Sequence, residues 1–160
     1  FDSVRLEVPL IMQRPELPTG CEATATAMLL QYAGSTLTKL DVAEQMPYSD
    51  DPYEGFVGNP YTESGFTIYP RALMPLVHTQ LGSAVDLSGA GLDEVRAYLQ
   101  DGKPVACWIA DDRGYVHCVV VIGYEDDVLF LNDPLEGATT MTGSEFEHLW
   151  SNNARRALSY

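Results

Sequence analysis

The chain has 160 residues, 46% of them hydrophobic and 20% charged. That size and balance predict a single domain over 1–160 with a core of its own, and exclude a disordered chain. The formal net charge of −14 argues against nucleic acid or anionic membrane as partners, since both select basic patches, and no apolar stretch approaches the roughly 20 residues of a membrane-inserted helix.

Along the chain, residues 4–10 (VRLEVPL) alternate and predict a strand. A turn-rich loop, MQRPELPTG, follows. Residues 21–33 (CEATATAMLLQYA) are rich in Ala and Leu and stop at Gly34, which predicts a helix capped near Thr19 or Gly20. A second helix is expected over 38–46, with Thr38 capping and Asp41 three residues on. Residues 47–70 lack a period and form a long ordered loop. Its Asp50, Asp51, Tyr53, Glu54, Phe56, Asn59 and Tyr61 either border a substrate cleft or tie down a solvated loop. Pro70 opens a helix to Leu81, irregular at Pro75, and Leu92, Val95 and Leu99 mark another, stopped by Asp101-Gly102. The pattern then turns β-branched: 104–110, 116–124, 128–132 and 138–142 read as strands. Thr142 to Glu145 reads as a capping box for a short helix, and 154–160 can return as a strand. Helices first and antiparallel strands second is an α+β layout.

Three cysteines is an odd number, so at least one thiol is free or pairs outside the chain. Zinc spacings are absent, and no cofactor or metal is expected. If Ala110 pairs with Tyr115, Cys107 and Cys118 lie opposite each other, where two buried thiols are favoured over a strained cross-strand disulfide. Cys118, alternating with His117, is expected to point away from any site at His117.

Cys21 is the informative cysteine, because it opens a helix. A helix N-terminus favours a thiolate by about 0.3–1 kcal/mol, or about 2 when partly buried. Reaching a thiol pKa of about 4 takes roughly 6 kcal/mol. The chemistry therefore needs an adjacent imidazolium; without one, Cys21 is an ordinary buried thiol. His78 and His148 fall in helices and read as packing or solvated residues. His117 opens a strongly apolar strand, where nothing structural asks for a histidine. Asp133 ends the next strand before Pro134, where it serves either a turn or the histidine. A three-residue loop or a bulge in the hairpin between them puts His117 and Asp133 on one face, and a plain two-residue loop puts them on opposite faces. Gln13, in the loop feeding the helix, is either a surface residue or a second oxyanion donor beside the Cys21 backbone N–H.

The order Gln13, Cys21, His117, Asp133 is that of papain-type enzymes. The stretch VPLIMQRPELPTGCEATATAMLLQYAG closely resembles the opening of stand-alone bacterial members of cysteine-peptidase family thirty-nine, which includes the double-glycine leader peptidases of bacteriocin exporters. DPYEGFVGNPYTESGFTIYP and HCVVVIGYEDDVLFLNDP are similar to the same members, with GCEAT and NDP the most specific parts. The resemblance implies a papain-like fold and an amide hydrolase acting on a peptide or protein. In it Cys21 is nucleophile, His117 general acid/base, Asp133 its orienting residue and Gln13 the oxyanion donor. Seven residues separate Gln13 from Cys21, more than in the exporter-linked enzymes, and no exporter is attached. The same triad would serve a cell-wall amide hydrolase or a transamidase, and a peptide-binding domain without turnover would keep the fold alone. The resemblance, and a chain that opens on Phe1 rather than Met, suggest a bacterial protein, secreted or at the cell surface.

Overall fold

The computed structural model describes residues 3–160. Alternation in the β-rich half decides the architecture. In β3 (Val105–Ala110) the side chains of Val105, Cys107 and Ile109 face one way, while Ala106 and Trp108 face the other, as a period of two requires. β4 (Val116–Glu125) does the same, with Val119 and Val121 opposed to Cys118, Val120 and Ile122. Both faces are apolar, so both must be covered. Residues of α1 (Cys21–Tyr32), α2 (Lys39–Gln45) and α3 (Pro70–Leu81) bury one face. Residues of α4 (Leu92–Gln100) and α5 (Gly143–Ser151) bury the other. This is the expected α+β fold, with the N-terminal helices packed on a C-terminal antiparallel sheet.

The sheet runs β2 (Val85–Asp86), β7 (Ala157–Ser159), β3, β4, β5 (Val128–Asp133), β6 (Gly137–Thr142), and β1 (Ser3–Arg5) joins β4 beyond the end of β3. The strand expected over 4–10 is shorter: after Leu6 donates to the Ile122 carbonyl at 2.8 Å, the chain leaves the sheet, and Asn132 Nδ2 holds the Val8 carbonyl at 3.1 Å. α3 runs through Pro75 without a break. The carbonyl that Pro75 leaves without a donor is that of Arg71, and both residues are exposed, so water can serve it. The capping boxes at Thr38–Asp41 and Thr142–Glu145 form as the sequence predicts. Among the described residues no helix is long and apolar enough to cross a membrane.

α1 is buried on every side from Cys21 to Leu30. A helix of Ala, Thr, Leu and Met, small or apolar all round, can serve as such a central rod. Gly20 caps it without a side-chain hydrogen bond. A Cβ there would stand 2.7 Å from the Leu17 Cβ, so the approach to Cys21 admits only hydrogen at this position.

Two register details position the later strands. The 111–115 loop is closed by the Asp111 N–H bonding the Tyr115 carbonyl and by the Asp111 carboxylate accepting from the Arg113 and Tyr115 N–H groups. Tyr115 is therefore a loop residue and Ala110 pairs with Val116, which sets Cys107 opposite Val119 and Trp108 opposite Cys118. The expected Cys107–Cys118 opposition is off by one residue, and the two thiols lie on opposite faces of the sheet, both free and fully buried.

The second detail is in the β4–β5 hairpin. Its loop is two residues, Asp126 and Asp127, but β4 carries an extra residue, Ile122, between the Val121–Leu131 and Gly123–Phe130 pairs. The bulge restores the face that the short loop would have lost. One step beyond the Val120–Asn132 pair, Asp133 comes opposite Val119, two residues from His117. At the bulge, Gly123 admits β1: a Cβ there would sit 2.2 Å from the Val4 carbonyl oxygen. Gly123→Ala is expected to push β1 off the sheet and cost about 1–3 kcal/mol, read as a lower urea midpoint at unchanged slope.

Candidate active site

The site is built where the start of α1 meets the beginning of β4 and the end of β5. The Cys118 backbone N–H acts on the Cys21 sulfur, so the thiol lies beside the main chain of β4 one residue after His117. His117 Nε2 and Asp133 Oδ1 are 2.6 Å apart, both side chains largely buried. The same Oδ1 accepts from the Leu135 and Glu136 N–H groups at 2.8 and 3.2 Å, an Asx turn that fixes the carboxylate at the strand end. Burial alone would raise the Asp133 pKa. The hydrogen bond and charge of His117, with the two backbone donors, outweigh it and hold the carboxyl below its usual range. An ionised Asp133 can only accept, so His117 Nε2 carries the proton and Nδ1 of the neutral ring presents its lone pair.

Gln13 lies in the same neighbourhood. Its backbone N–H donates to the Pro134 carbonyl at 2.9 Å, one residue past Asp133. Lys39 Nζ reaches across from α2 to the Met12 and Gln13 carbonyls and to Glu16, pinning the loop. The side chain is buried: Nε2 donates to the Pro18 carbonyl at 2.9 Å, and Oε1 has no partner among the described residues.

The long loop forms another wall. Thr19, two residues before Cys21, donates through Oγ1 to the Thr62 and Asn59 carbonyls, at 2.8 and 3.2 Å, and a Cβ on Gly65 would stand 2.0 Å from that Oγ1. Phe56 is fully buried and ties the loop to the core, while Tyr53, Tyr61 and Phe66 stay exposed. Thr67 donates to Glu22 Oε2 at 2.5 Å. Glu22 and Thr67 are the two residues here that the sequence reading missed. The signal for Glu22 was a charged side chain in a helix otherwise free of charge; Thr67 carried none.

The Cys21 sulfur departs from the sequence-based expectation. The residue is 7% exposed, and Sγ lies 3.2 Å from Glu22 Oε1. Burial first, and the Glu22 carboxyl next, push the thiol well above its ordinary value. The helix end is worth at most about 2 kcal/mol, and here it is outweighed. Burial likewise raises Glu22. Cys118 packs in the same core layer as Cys21 instead of pointing away, and is pushed up by burial and then by Cys21. His148 pairs with Asp112 on the surface, and His78 is exposed. Among the described residues no group of three or more His, Cys, Asp or Glu could hold a metal. A cavity of about 620 Å³ lies away from Cys21, between the long loop and α3 at Tyr53, Arg71 and Gln80.

The fold is papain-like. Residues 5–158 match the model of the Peptidase C39 like family, and the chain belongs to that family. It is 31% identical to the uncharacterized protein YvpB of Bacillus subtilis (strain 168), over 92% of this chain and 71% of that one. Among solved structures it is similar to a "putative C39-like peptidase" from Bacillus anthracis, at 33% identity and TM-score 0.92, covering 100% of this chain and 98% of the other. It also shares its fold with a double glycine motif protease from an AMS/PCAT transporter, solved in complex with the leader peptide, at 19% identity and TM-score 0.59, covering 99% and 96%.

The Asp133 pKa gives a signed expectation. On acidification the unfolded chain protonates this aspartate first, near pH 4, so its contribution is full above that pH and is lost as pH falls through the lower folded value. Urea unfolding of wild type and Asp133→Asn should show a stability gap that is constant near neutrality and closes below pH about 4.

Proposed function

We infer that the protein is a cysteine peptidase in which Cys21 is the nucleophile, His117 the general acid/base, Asp133 its orienting partner and Gln13 an oxyanion donor. The observation that carries this reading is the 2.6 Å contact between His117 Nε2 and Asp133 Oδ1, one residue along β4 from Cys118, whose backbone N–H acts on the Cys21 sulfur. It leaves Nδ1 as the one basic nitrogen at the site.

His117 Nδ1 takes the thiol proton as Cys21 Sγ attacks the substrate carbonyl. The charge developing on the carbonyl oxygen meets the Cys21 backbone N–H, which the uncapped start of α1 leaves without a side-chain acceptor. The second N–H of Gln13 Nε2 is the other donor. The imidazolium returns its proton to the leaving amine, and a thioester remains on Cys21. Water, deprotonated by His117, attacks the thioester and releases the acid, with the proton returned to sulfur. Asp133 stays ionised throughout and holds the ring in one tautomer. The substrate class is peptide or protein, a reading supported by family membership and by the leader peptide bound to the transporter protease of the same fold.

Two measurements test it. Near-stoichiometric iodoacetamide followed by peptide mapping should label Cys21 before Cys107 and Cys118, which are fully buried. With a quenched peptide library, Cys21→Ala should abolish cleavage, and His117→Ala should lower kcat about 10²–10⁴-fold, the usual worth of a general base. Peptide binding that survives Cys21→Ala, with no product from wild type, would establish a binding domain instead.

A further inference from the structure

Glu22 has no part in the chemistry above, yet it is 1% exposed and sits directly against the sulfur. A carboxyl in so dry a place is costly unless its oxygens are held. Both are held here: Oε2 accepts from the Thr67 hydroxyl at 2.5 Å, and Oε1 lies 3.2 Å from Cys21 Sγ. An ionised carboxylate has no hydrogen to give, so in that state the Cys21 S–H is the donor and Oε1 the acceptor. Once Glu22 binds a proton, the direction can reverse, with the carboxyl O–H donating to the sulfur and favouring the thiolate.

We propose that Glu22 is a positioning residue that governs Cys21: its carboxylate, anchored by Thr67, accepts the Cys21 S–H and keeps the nucleophile protonated, and release of that hydrogen bond is the step that arms it.

The remaining charged or titratable groups around the pair come from the sheet. His117 on β4 favours the ionised form of Glu22 through its charge, and Cys118 on the same strand feels Cys21, Glu22 and, from β5, Asp133. Glu22 is the charged group that acts on the thiol directly, at contact distance. A charge-neutral replacement at position 22 removes that charge. The proposal rests on Cys21 being the reactive thiol, but thiol alkylation reads it without any peptide being cut.

The experiment follows the rate of Cys21 alkylation by iodoacetamide against pH in the full chain, with peptide mapping to confirm the site and circular dichroism to confirm the fold. Glu22→Gln keeps the shape and an acceptor for Thr67 but loses the charge. Its alkylation midpoint should fall by at least about one pH unit, which is about tenfold faster alkylation at neutral pH because the rate follows the thiolate fraction. Glu22→Asp keeps the charge and should stay closer to wild type. Should Glu22→Gln not fold, Thr67→Val serves in its place: it leaves the carboxyl but removes its donor, so Glu22 keeps its proton to higher pH and the midpoint again moves down. A midpoint that stays put or rises in the folded variant overturns the proposal. A lowered midpoint in a protein that cuts no peptide upholds it and overturns the peptidase reading instead.

Discussion

Between Val121 and Gly123 the ladder joining β4 to β5 holds one residue more on β4, and every side chain toward Asp133 takes its face from that insertion. A strand alternates strictly, so a two-residue hairpin loop without the bulge would have turned Asp133 away from His117. With Ile122 inserted, the carboxylate and the imidazole share a face at the open end of two strands. The Asx turn at Leu135 and Glu136 then locks the carboxylate in place. The chemistry assigned to His117 depends on this pairing, since the ionised partner on Nε2 decides which ring nitrogen is left basic.

The other half of the site comes from a helix that is buried from Cys21 to Leu30. Burying the first turns of α1 on all sides suits the nucleophile proposed at Cys21, which would have to be held to within fractions of an ångström. The same burial removes water from the sulfur, and the neighbouring carboxyl adds charge repulsion. Three influences therefore compete at one atom. The helix end favours the anion, whereas desolvation and Glu22 oppose it, and the latter two dominate in the resting site.

Much of this was legible in the sequence because it rests on local patterns. The β-branched, apolar runs 104–110 and 116–124, the Thr38 and Thr142 capping boxes and the Pro70 start of α3 each depend on a few adjacent residues. The order Gln13, Cys21, His117, Asp133 and the family resemblance singled out residues of which the structure brings His117 and Asp133 into contact. Contacts between distant segments were not legible. That the loop near residue 67 would lend a hydroxyl to Glu22 depends on how 45 intervening residues fold. The Cys107–Cys118 register depended on Asp111 closing a loop one residue longer than alternation suggested. Most consequential, the state of the Cys21 thiol turned on burial, which a helix-end argument leaves out.

Holding a carboxyl in a dry pocket also has a price for the fold as a whole. Glu22 binds its proton more tightly when folded than when unfolded, because burial raises its pKa. Between the ordinary glutamate value, about 4.3, and the raised one, the native state carries more protons than the unfolded chain, so stability declines as pH climbs through that window. The formal net charge of −14 acts in the same sense, since self-repulsion grows as carboxylates ionise. Mild acidity, above the range where Asp133 gives up its charge, is the condition under which this architecture is least strained.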